Sequence, residues 1–387
     1  MKRKPVILTV FGTRPEAVKM APLVKVIEAS EDLISKVCVT AQHRQMLDQV
    51  LEIFNIIPDY DLDIMKSRQT LAGITKMALE GVEKVINVLK PDMVLVHGDT
   101  TTTFTASLAA FYAKVPVGHV EAGLRTYDKY SPYPEEMNRK LTGCIADLHF
   151  APTQSNYRNL IKEGVKPDSI HITGNTAIDA LGTTISGDFS FEDEELRKID
   201  FSGKRIITVT AHRRENLGKP LNNICRALKQ IATEYPDVEI IYPVHLNPAV
   251  QEPVKIVLGG IPRVHLISPV QVKDMHNLMS NSYLILTDSG GLQEEAPALG
   301  KPVLVLRNET ERPEAVQAGT VKVIGTEFDS IVREASKLME DEPEYQRMAY
   351  SVNPYGDGNA SERILEAIRY WFKLTDKRPE PFRPITE

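Results

Sequence analysis

Eight short segments of this 387-residue chain gather arginine, histidine, aspartate and glutamate directly after apolar runs. They are GTRPE (12–16), AQHRQ (41–45), HGDT (97–100), HVEAG (119–123), AHRRE (211–215), PVHLNP (243–248), TDSGG (287–291) and RNETERPEA (307–315). Two kinds of chemistry are available from them. GTRPE delivers Arg14 and Lys19 to the start of a helix, where free N–H groups and a partial positive charge favour a phosphate. It matches neither a dinucleotide-binding GxGxxG nor a Walker loop. TDSGG offers the amides of Ser289, Gly290 and Gly291 at another helix start, with Glu294 and Glu295 one turn later as acceptors for a ribose diol. Asp99, Glu121 and Glu135 are acids at or near strand ends, where apolar walls tune proton affinity for acid or base work. His212 is placed to hydrogen-bond a departing phosphate.

Plainer readings stand beside each of these. Arg14 reads equally as a solvated charge before a first-turn proline. Ser289 and Asp99 read as helix N-caps, Glu135 as a first-turn glutamate, and His212 as a loop histidine. Joint occurrence of these groups at strand ends favours the functional reading. His97, His119, His245 and His276 show no zinc-ligand spacing, and no serine carries the signature of a nucleophile.

The elements that must position these groups follow from periodicity. Apolar runs such as VILTVF and MVLV read as strands buried on both faces, alternating with helical stretches, which predicts parallel sheet in βαβ units. The alternation runs to Gly174, weakens over residues 182–204, and restarts at Arg205. Residues 182–204 are polar and acidic and read as connecting structure. The pattern predicts an α/β fold of two successive doubly wound domains: 1–174, completed by the helix in 361–387, and 175–360. In open α/β sheets, ligands collect beyond the carboxyl ends of the strands, so one cleft faced by both domains is the expected meeting point.

Composition narrows the function further. With 46 basic and 52 acidic residues the net charge is −6, and 42% of residues are hydrophobic and 25% charged. This is a globular composition that disfavours a nucleic-acid or anionic-membrane partner. No apolar run is long enough to span a bilayer. Three scattered cysteines, Cys38, Cys144 and Cys225, suggest a reducing compartment, hence a cytoplasmic protein.

Taken in order, VFGTRPEAVKMAPL, VTAQHRQMLDQVL, PDMVLVHGDTTTT, PVGHVEAGLRT, YPEEMNRKLT, TGNTAIDAL, VTAHRREN, YPVHLNP, LILTDSGGLQEEAPALGKPVLVLR and ERPEAVQAGT resemble the bacterial, non-hydrolysing UDP-N-acetylglucosamine 2-epimerases over nearly the whole chain. The resemblance implies the GT-B-like architecture of many nucleotide-sugar glycosyltransferases, with two Rossmann-like domains. It implies an isomerase that interconverts UDP-N-acetylglucosamine and UDP-N-acetylmannosamine with neither NAD nor metal, for cell-surface polysaccharide synthesis. Asp99, Glu121, Glu135 and His212 match its catalytic positions. Arg14, Lys19, Ser289, Gly290, Gly291, Glu295 and Arg312 match its substrate- and UDP-holding positions. Gln42, Gln45, Arg68, Arg213 and His245 match a second site, where UDP-N-acetylglucosamine acts as activator. The segment Val270–Met275 departs from the family's uracil contacts. A homodimer is a further family expectation.

In that family's chemistry the bond from C1 to UDP breaks and the C2 proton leaves, giving a 2-acetamidoglucal and UDP. Three other readings compete. A glycosyltransferase of the same architecture has no need of carboxylates at C2. A catalytically silent UDP-sugar sensor would have lost the acids present here. The hydrolysing animal relatives carry a fused kinase domain, for which this chain is too short.

Overall fold

The computed structural model describes residues 3–41, 44–66 and 69–384. Short apolar runs alternating with amphipathic stretches satisfy their backbone by pairing in parallel at the centre, with helices over both faces. The chain does this twice, in two compact units: Met1–Thr183 with Tyr355–Arg383, and Thr184–Pro354 with Pro384–Glu387.

The first unit begins β1 (Val6–Phe11), α1 (Arg14–Ala29), β2 (Ile34–Val39), α2 (Arg44–Ile53), β3 (Tyr60–Asp61) and α3 (Leu71–Leu89). It continues β4 (Met93–His97), α4 (Thr101–Tyr112), β5 (Val117–Val120), α5 (Glu135–Ile145), β6 (Leu148–Ala151), α6 (Gln154–Lys162), β7 (Ile170–Ile172) and α7 (Thr176–Thr184). Seven parallel strands lie in the order β3-β2-β1-β4-β5-β6-β7, so the order reverses between β1 and β4. Every residue of β4 is buried, as expected of a strand covered on both faces. The small residues of α4 (Ala106, Ala109, Ala110) let it lie close on Val94 and Val96, with Val82, Val85 and Ile86 of α3 completing that core.

The second unit carries α8 (Glu194–Arg197), β8 (Arg205–Thr210), α9 (Lys219–Glu234), β9 (Val238–Pro243), α10 (Pro248–Leu258), β10 (Val264–Ile267) and α11 (Val272–Ser280). It continues β11 (Leu284–Thr287), α12 (Gly290–Ala298), β12 (Val303–Val305), α13 (Pro313–Ala318), β13 (Val321–Val323), α14 (Phe328–Glu340) and α15 (Glu342–Ala349); α16 (Ala360–Trp371) belongs to the first unit. Its six parallel strands run β10-β9-β8-β11-β12-β13, reversing between β8 and β11. Leu221, Ile224, Leu228 and Ile231 form one buried stripe of α9 against Ile207, Val209 and Ile240. That spacing is the helical period the sequence displays.

Two sequence readings need adjustment. The boundaries fall at 183/184 and 354/355, where the sequence pointed to 174/175 and 360/361. The Asn175 N–H donates to the Tyr355 carbonyl at 2.7 Å, and the Asp179 carboxylate accepts the Ala360 and Ser361 N–H groups at 3.1 and 2.6 Å. These bonds keep α7 with the first unit and draw the chain back to it before α16 begins. Residues 182–204 are also more than connecting structure. Leu196 is buried among Ile206, Ile241, Ile267 and Leu278, with Phe191, Ile199 and Phe201 packed alongside. Both oxygens of the buried Asp274 hold the Glu192 and Asp193 amides, at 2.9 and 2.8 Å. Helices α7, α10, α13 and α15 were also not read from the sequence. Pro253 inside α10 breaks the expected pattern, and α13 and α15 span at most eight residues.

Gly12 follows β1 where the sheet order reverses. A Cβ there would lie 1.9 Å from Thr40 Oγ1 and 2.8 Å from Thr102 Oγ1, two hydroxyls that hydrogen-bond each other at 2.9 Å. Gly12→Ala is expected to destabilise the N-terminal unit by about 1–3 kcal/mol through overpacking, with Thr40→Ala in the same chain restoring part of the loss. Urea unfolding measures this; an unchanged midpoint in the single variant would show that the loop yields freely.

Candidate functional site

Both units place polar groups where the strand order reverses, the position at which open α/β sheets collect ligands. In the first unit Glu16 is 2% exposed. Its Oε2 accepts the Gly12 N–H (3.1 Å), the Thr13 N–H (2.8 Å) and the Thr13 hydroxyl (2.7 Å). Its Oε1 accepts the Thr100 and Thr103 hydroxyls at 2.7 and 3.2 Å. One carboxylate thereby ties the loop after β1 to the start of α4. Burial pushes its pKa up, against the opposing pull of these donors. Arg14 opens α1 from this loop and is half-buried.

The same helix carries Lys19, whose Nζ lies 2.6 Å from Glu121 Oε1; His97 Nε2 is 2.9 Å from Oε2 of the same carboxylate. Burial alone would raise the Glu121 pKa, but the Lys19 charge and then His97 outweigh it and hold the carboxyl well below its ordinary range. Glu121 also occupies the left-handed region, φ 62°, directly after β5. Such a conformation costs a non-glycine residue about 1–3 kcal/mol and persists only where the surroundings fix it. Here the strained residue is also the one held by the Lys19 ion pair.

Glu121 Oε2 is 3.5 Å from where a Cβ on Gly98 would lie, which brings it to the turn bearing Asp99. Asp99 Oδ2 accepts from Arg139 Nε at 2.8 Å and lies 2.7 Å from its Nη2. Asn138 Nδ2 donates to the Asp99 carbonyl at 2.9 Å. Arg139 also pairs with Glu136 (3.2 Å), whose carboxylate accepts the Thr126 and Tyr127 amides, both at 3.1 Å. Glu135 opens α5 half-buried, and its carboxylate makes no hydrogen bond or ion pair among the described residues. The three acids therefore differ: cations fix Asp99 and Glu121, but not Glu135. Sequence reasoning missed Glu16, Glu136, Asn138 and Arg139. The available signal was α5 itself, whose buried face is Glu136, Asn138, Arg139 and Thr142 rather than apolar.

In the second unit Asp288 is fully buried, and its Oδ2 accepts the His212 N–H (2.7 Å), the Arg213 N–H (2.8 Å) and Asn216 Nδ2 (3.0 Å). This carboxylate ties the loop after β8 to the loop after β11. His212 is stacked on His245, with centroids 5.2 Å apart and planes at 9°. Ser289 precedes α12 without a side-chain capping bond, leaving the N–H groups of that helix start for another acceptor. The Arg312 and Arg213 guanidinium groups lie 3.7 and 4.0 Å from where a Cβ on Gly290 would project. Two cations and a helix N-terminus thus converge on a backbone bare of side chain, a favourable geometry for a diphosphate. Arg312 Nε also bonds the buried Glu294, so Glu294 anchors the arginine; Glu295 is half-buried, its Oε2 3.6 Å from His276 Nε2.

Of the residues matched to an activator site, Arg213 and His245 therefore adjoin His212. Gln42 and Arg68 lie outside the described residues, as does the side chain of Gln45. In the segment that departs from the uracil contacts, Val270 is buried and Gln271 directly precedes α11. Among the described residues no group of three or more His, Cys, Asp or Glu side chains is arranged to hold a metal, and no helix is long and apolar enough to cross a membrane.

Comparisons with known proteins bear on this geometry. The profile of the family described as UDP-N-acetylglucosamine 2-epimerase matches residues 25–369. The UDP-N-acetylglucosamine 2-epimerase of Bacillus subtilis is 56% identical over 377 residues, covering 97% of this chain and 98% of that protein. The structure of S. aureus MnaA with UDP superposes with a TM-score of 0.90 at 51% identity, over 98% of this chain and 100% of that one. The UDP-GlcNAc 2-epimerase of Neisseria meningitidis bound to UDP-GlcNAc gives a TM-score of 0.86 at 50% identity, over 94% and 99% of the two chains.

Four strands of the first sheet each end in or carry a buried histidine: His97, His119, His149 and His171. His119 Nε2 lies 2.7 Å from the Gly98 carbonyl and so steadies the turn before Asp99. Burial depresses His119 to about 3 and His149 and His171 to about 4, from 6.5. Their native forms thus refuse a proton that the unfolded chain takes up. Stability is full above about 6.5 and declines as the pH falls toward 4. Each such group contributes a slope of up to about 1.4 kcal/mol per pH unit. Urea unfolding at pH 7, 6 and 5 should show this decline, flattened by His119→Gln; equal slopes in both proteins would refute the assignment.

Proposed function

The chain belongs to the UDP-N-acetylglucosamine 2-epimerase family, a family of non-hydrolysing isomerases, and from that premise we propose that it inverts C2 of the sugar by eliminating and re-adding UDP. The observation that carries the proposal is the strained, cation-fixed Glu121 beside the turn bearing Asp99. A site that only held UDP would not need a carboxylate so constrained, whereas proton transfer at carbon does.

In the forward direction the C1–O bond breaks and its electron pair leaves with the UDP oxygen. A carboxylate takes the C2 proton, and the C2–H electron pair forms the C1=C2 bond of a 2-acetamidoglucal. Return of a proton to the opposite face of C2, with re-addition of the UDP oxygen at C1, gives the mannose configuration. As C1 loses its electron pair, the adjacent C–H becomes far more acidic, so stabilising the departing diphosphate is the decisive contribution. The second unit supplies it through His212, Arg312 and the amides of Gly290 and Gly291, with Glu295 as the acceptor for the ribose; the Ser289 N–H instead donates to Thr287 Oγ1 at 2.9 Å. Arg14 adds positive charge from the start of α1, and Lys19 of the same helix is paired with Glu121. Removal and return on opposite faces need two groups, drawn from Asp99, Glu121 and Glu135. No metal or nicotinamide takes part in this scheme.

The same proposal includes a second UDP-N-acetylglucosamine molecule acting as activator through Gln42, Gln45, Arg68, Arg213 and His245. It also includes a homodimer in the cytoplasm, with the product feeding cell-surface polysaccharide synthesis.

Incubation with UDP-N-acetylglucosamine in D₂O, without any acceptor, tests the scheme. Deuterium should enter C2 as both UDP-sugars accumulate. Asp99→Asn, Glu121→Gln and Glu135→Gln should each slow that exchange by on the order of 10²-fold or more. Formation of the mannose-configured sugar without deuterium at C2 would exclude elimination, and near-normal exchange in all three variants would exclude these acids.

A further inference from the structure

Asp288 carries more charge than its loop contacts use. Its Oδ2 accepts all three donors described above, while its Oδ1 is equally buried and has no hydrogen-bond partner among the described residues. A buried carboxylate oxygen left without a donor is costly, and natural structures keep such atoms chiefly where they have a task. His212 Nδ1 stands 3.7 Å from this oxygen, beyond hydrogen-bonding range but with the ring nitrogen and the oxygen as close neighbours. The His212 backbone is already fixed by Oδ2, so only a side-chain rotation separates ring and carboxylate.

We propose that Asp288 is the positioning residue for His212: Oδ1 accepts the Nδ1–H, and Nε2 is thereby the ring nitrogen presented to the departing phosphate. The proposal rests on the reading that His212 serves the leaving group. It gives the orphaned oxygen its donor and selects one tautomer of the neutral ring. When Nε2 also carries a proton, the imidazolium lies between Asp288 and the diphosphate, each accepting one N–H. Three charged or titratable groups face His212. Burial holds its pKa below the ordinary histidine value, Asp288 works against that, and His245 and Arg213 reinforce it.

Asp288→Asn separates the positioning role from the structural one. Its amide oxygen can keep the three Oδ2 contacts, while its NH₂ replaces the acceptor facing Nδ1 with a donor. Long-range ¹H–¹⁵N spectra of histidine-labelled protein, with His212 assigned by the signal lost in His212→Gln, report tautomer and titration directly. In the wild-type protein neutral His212 should carry its proton on Nδ1. In Asp288→Asn the proton should move to Nε2, the titration midpoint should fall, and kcat should drop by on the order of 10²-fold with a smaller change in KM. An unchanged tautomer and midpoint in the variant would overturn the proposal. If the variant does not fold, the wild-type spectrum alone decides, since an Nε2–H tautomer there is incompatible with it. A wild-type protein with the expected tautomer but no exchange at C2 would refute the proposed reaction and leave the Asp288–His212 pairing standing.

Discussion

A carboxylate removed from water must be given hydrogen-bond donors, and both units use that demand to build the loops that carry their chemistry. Glu16 in the first unit and Asp288 in the second lie where the strand order reverses, nearly or fully buried. Each draws in backbone N–H groups, two in either case, from the loop after the first strand of its sheet. The remaining donors differ: the hydroxyls of Thr13, of Thr100 before α4 and of Thr103 in its first turn satisfy Glu16, whereas an asparagine amide completes Asp288. An apolar residue at either place would bury as well but would leave those amides pointing nowhere, and the loops would lose their single conformation.

From these anchors the two units diverge. In the first, basic side chains are spent on acids: Lys19 lies against Glu121 with the His97 ring beside it, and Arg139 holds Asp99 and Glu136. The result is a set of carboxylates held in defined positions at the carboxyl edge of the sheet. In the second, the arrangement is reversed. Arg312 leans on Glu294 but turns its guanidinium toward Gly290, Arg213 does likewise, and the start of α12 adds its amides. One unit fixes carboxylates in place, and the other gathers guanidinium groups and helix amides around Gly290. That division is what the proposed reaction asks for, because a proton bound to carbon becomes removable only while a leaving group is being stabilised.

Much of this was legible in the sequence, for identifiable reasons. Strands buried on both faces announce themselves as apolar runs: β4, β6, β8 and β9 end where the pattern ends. Asp99 after β4, His212 after β8 and Ser289 after β11 lie at the carboxyl ends of their strands because parallel sheets put those connections there. The anchors were not legible. Glu16 reads as the fourth residue of a Thr13–Glu16 capping box, a pattern that does not tell a buried glutamate from an exposed one. Glu136 in the first turn of α5 and Arg139 one turn on are charged residues of the kind normally left to solvent, yet their helix face is buried. Residues 182–204 looked too polar to pack, but Phe191, Leu196 and Phe201 suffice once Asp274 fixes the backbone. What a single sequence withholds is which polar residue a neighbouring element will bury.

A negative charge beneath a site for an anion looks counterproductive, and its placement resolves the objection. Asp288 is fully buried behind the loop, and most of its field is spent on the His212 and Arg213 amides and on Asn216. The groups nearer solvent are of another kind: the His212 and His245 rings are exposed, and Arg213 is half-buried beside Gly290. A diphosphate approaching from solvent would therefore meet guanidinium, imidazole and helix amides before the carboxylate. At that range the acid acts mainly through its neighbours. It opposes the loss of a proton from His212, which burial, His245 and Arg213 all encourage. A loop built only of cations would attract phosphate as strongly but would drive its histidine toward the neutral form. The carboxylate lets one loop hold a positive cluster and keep an imidazole able to donate.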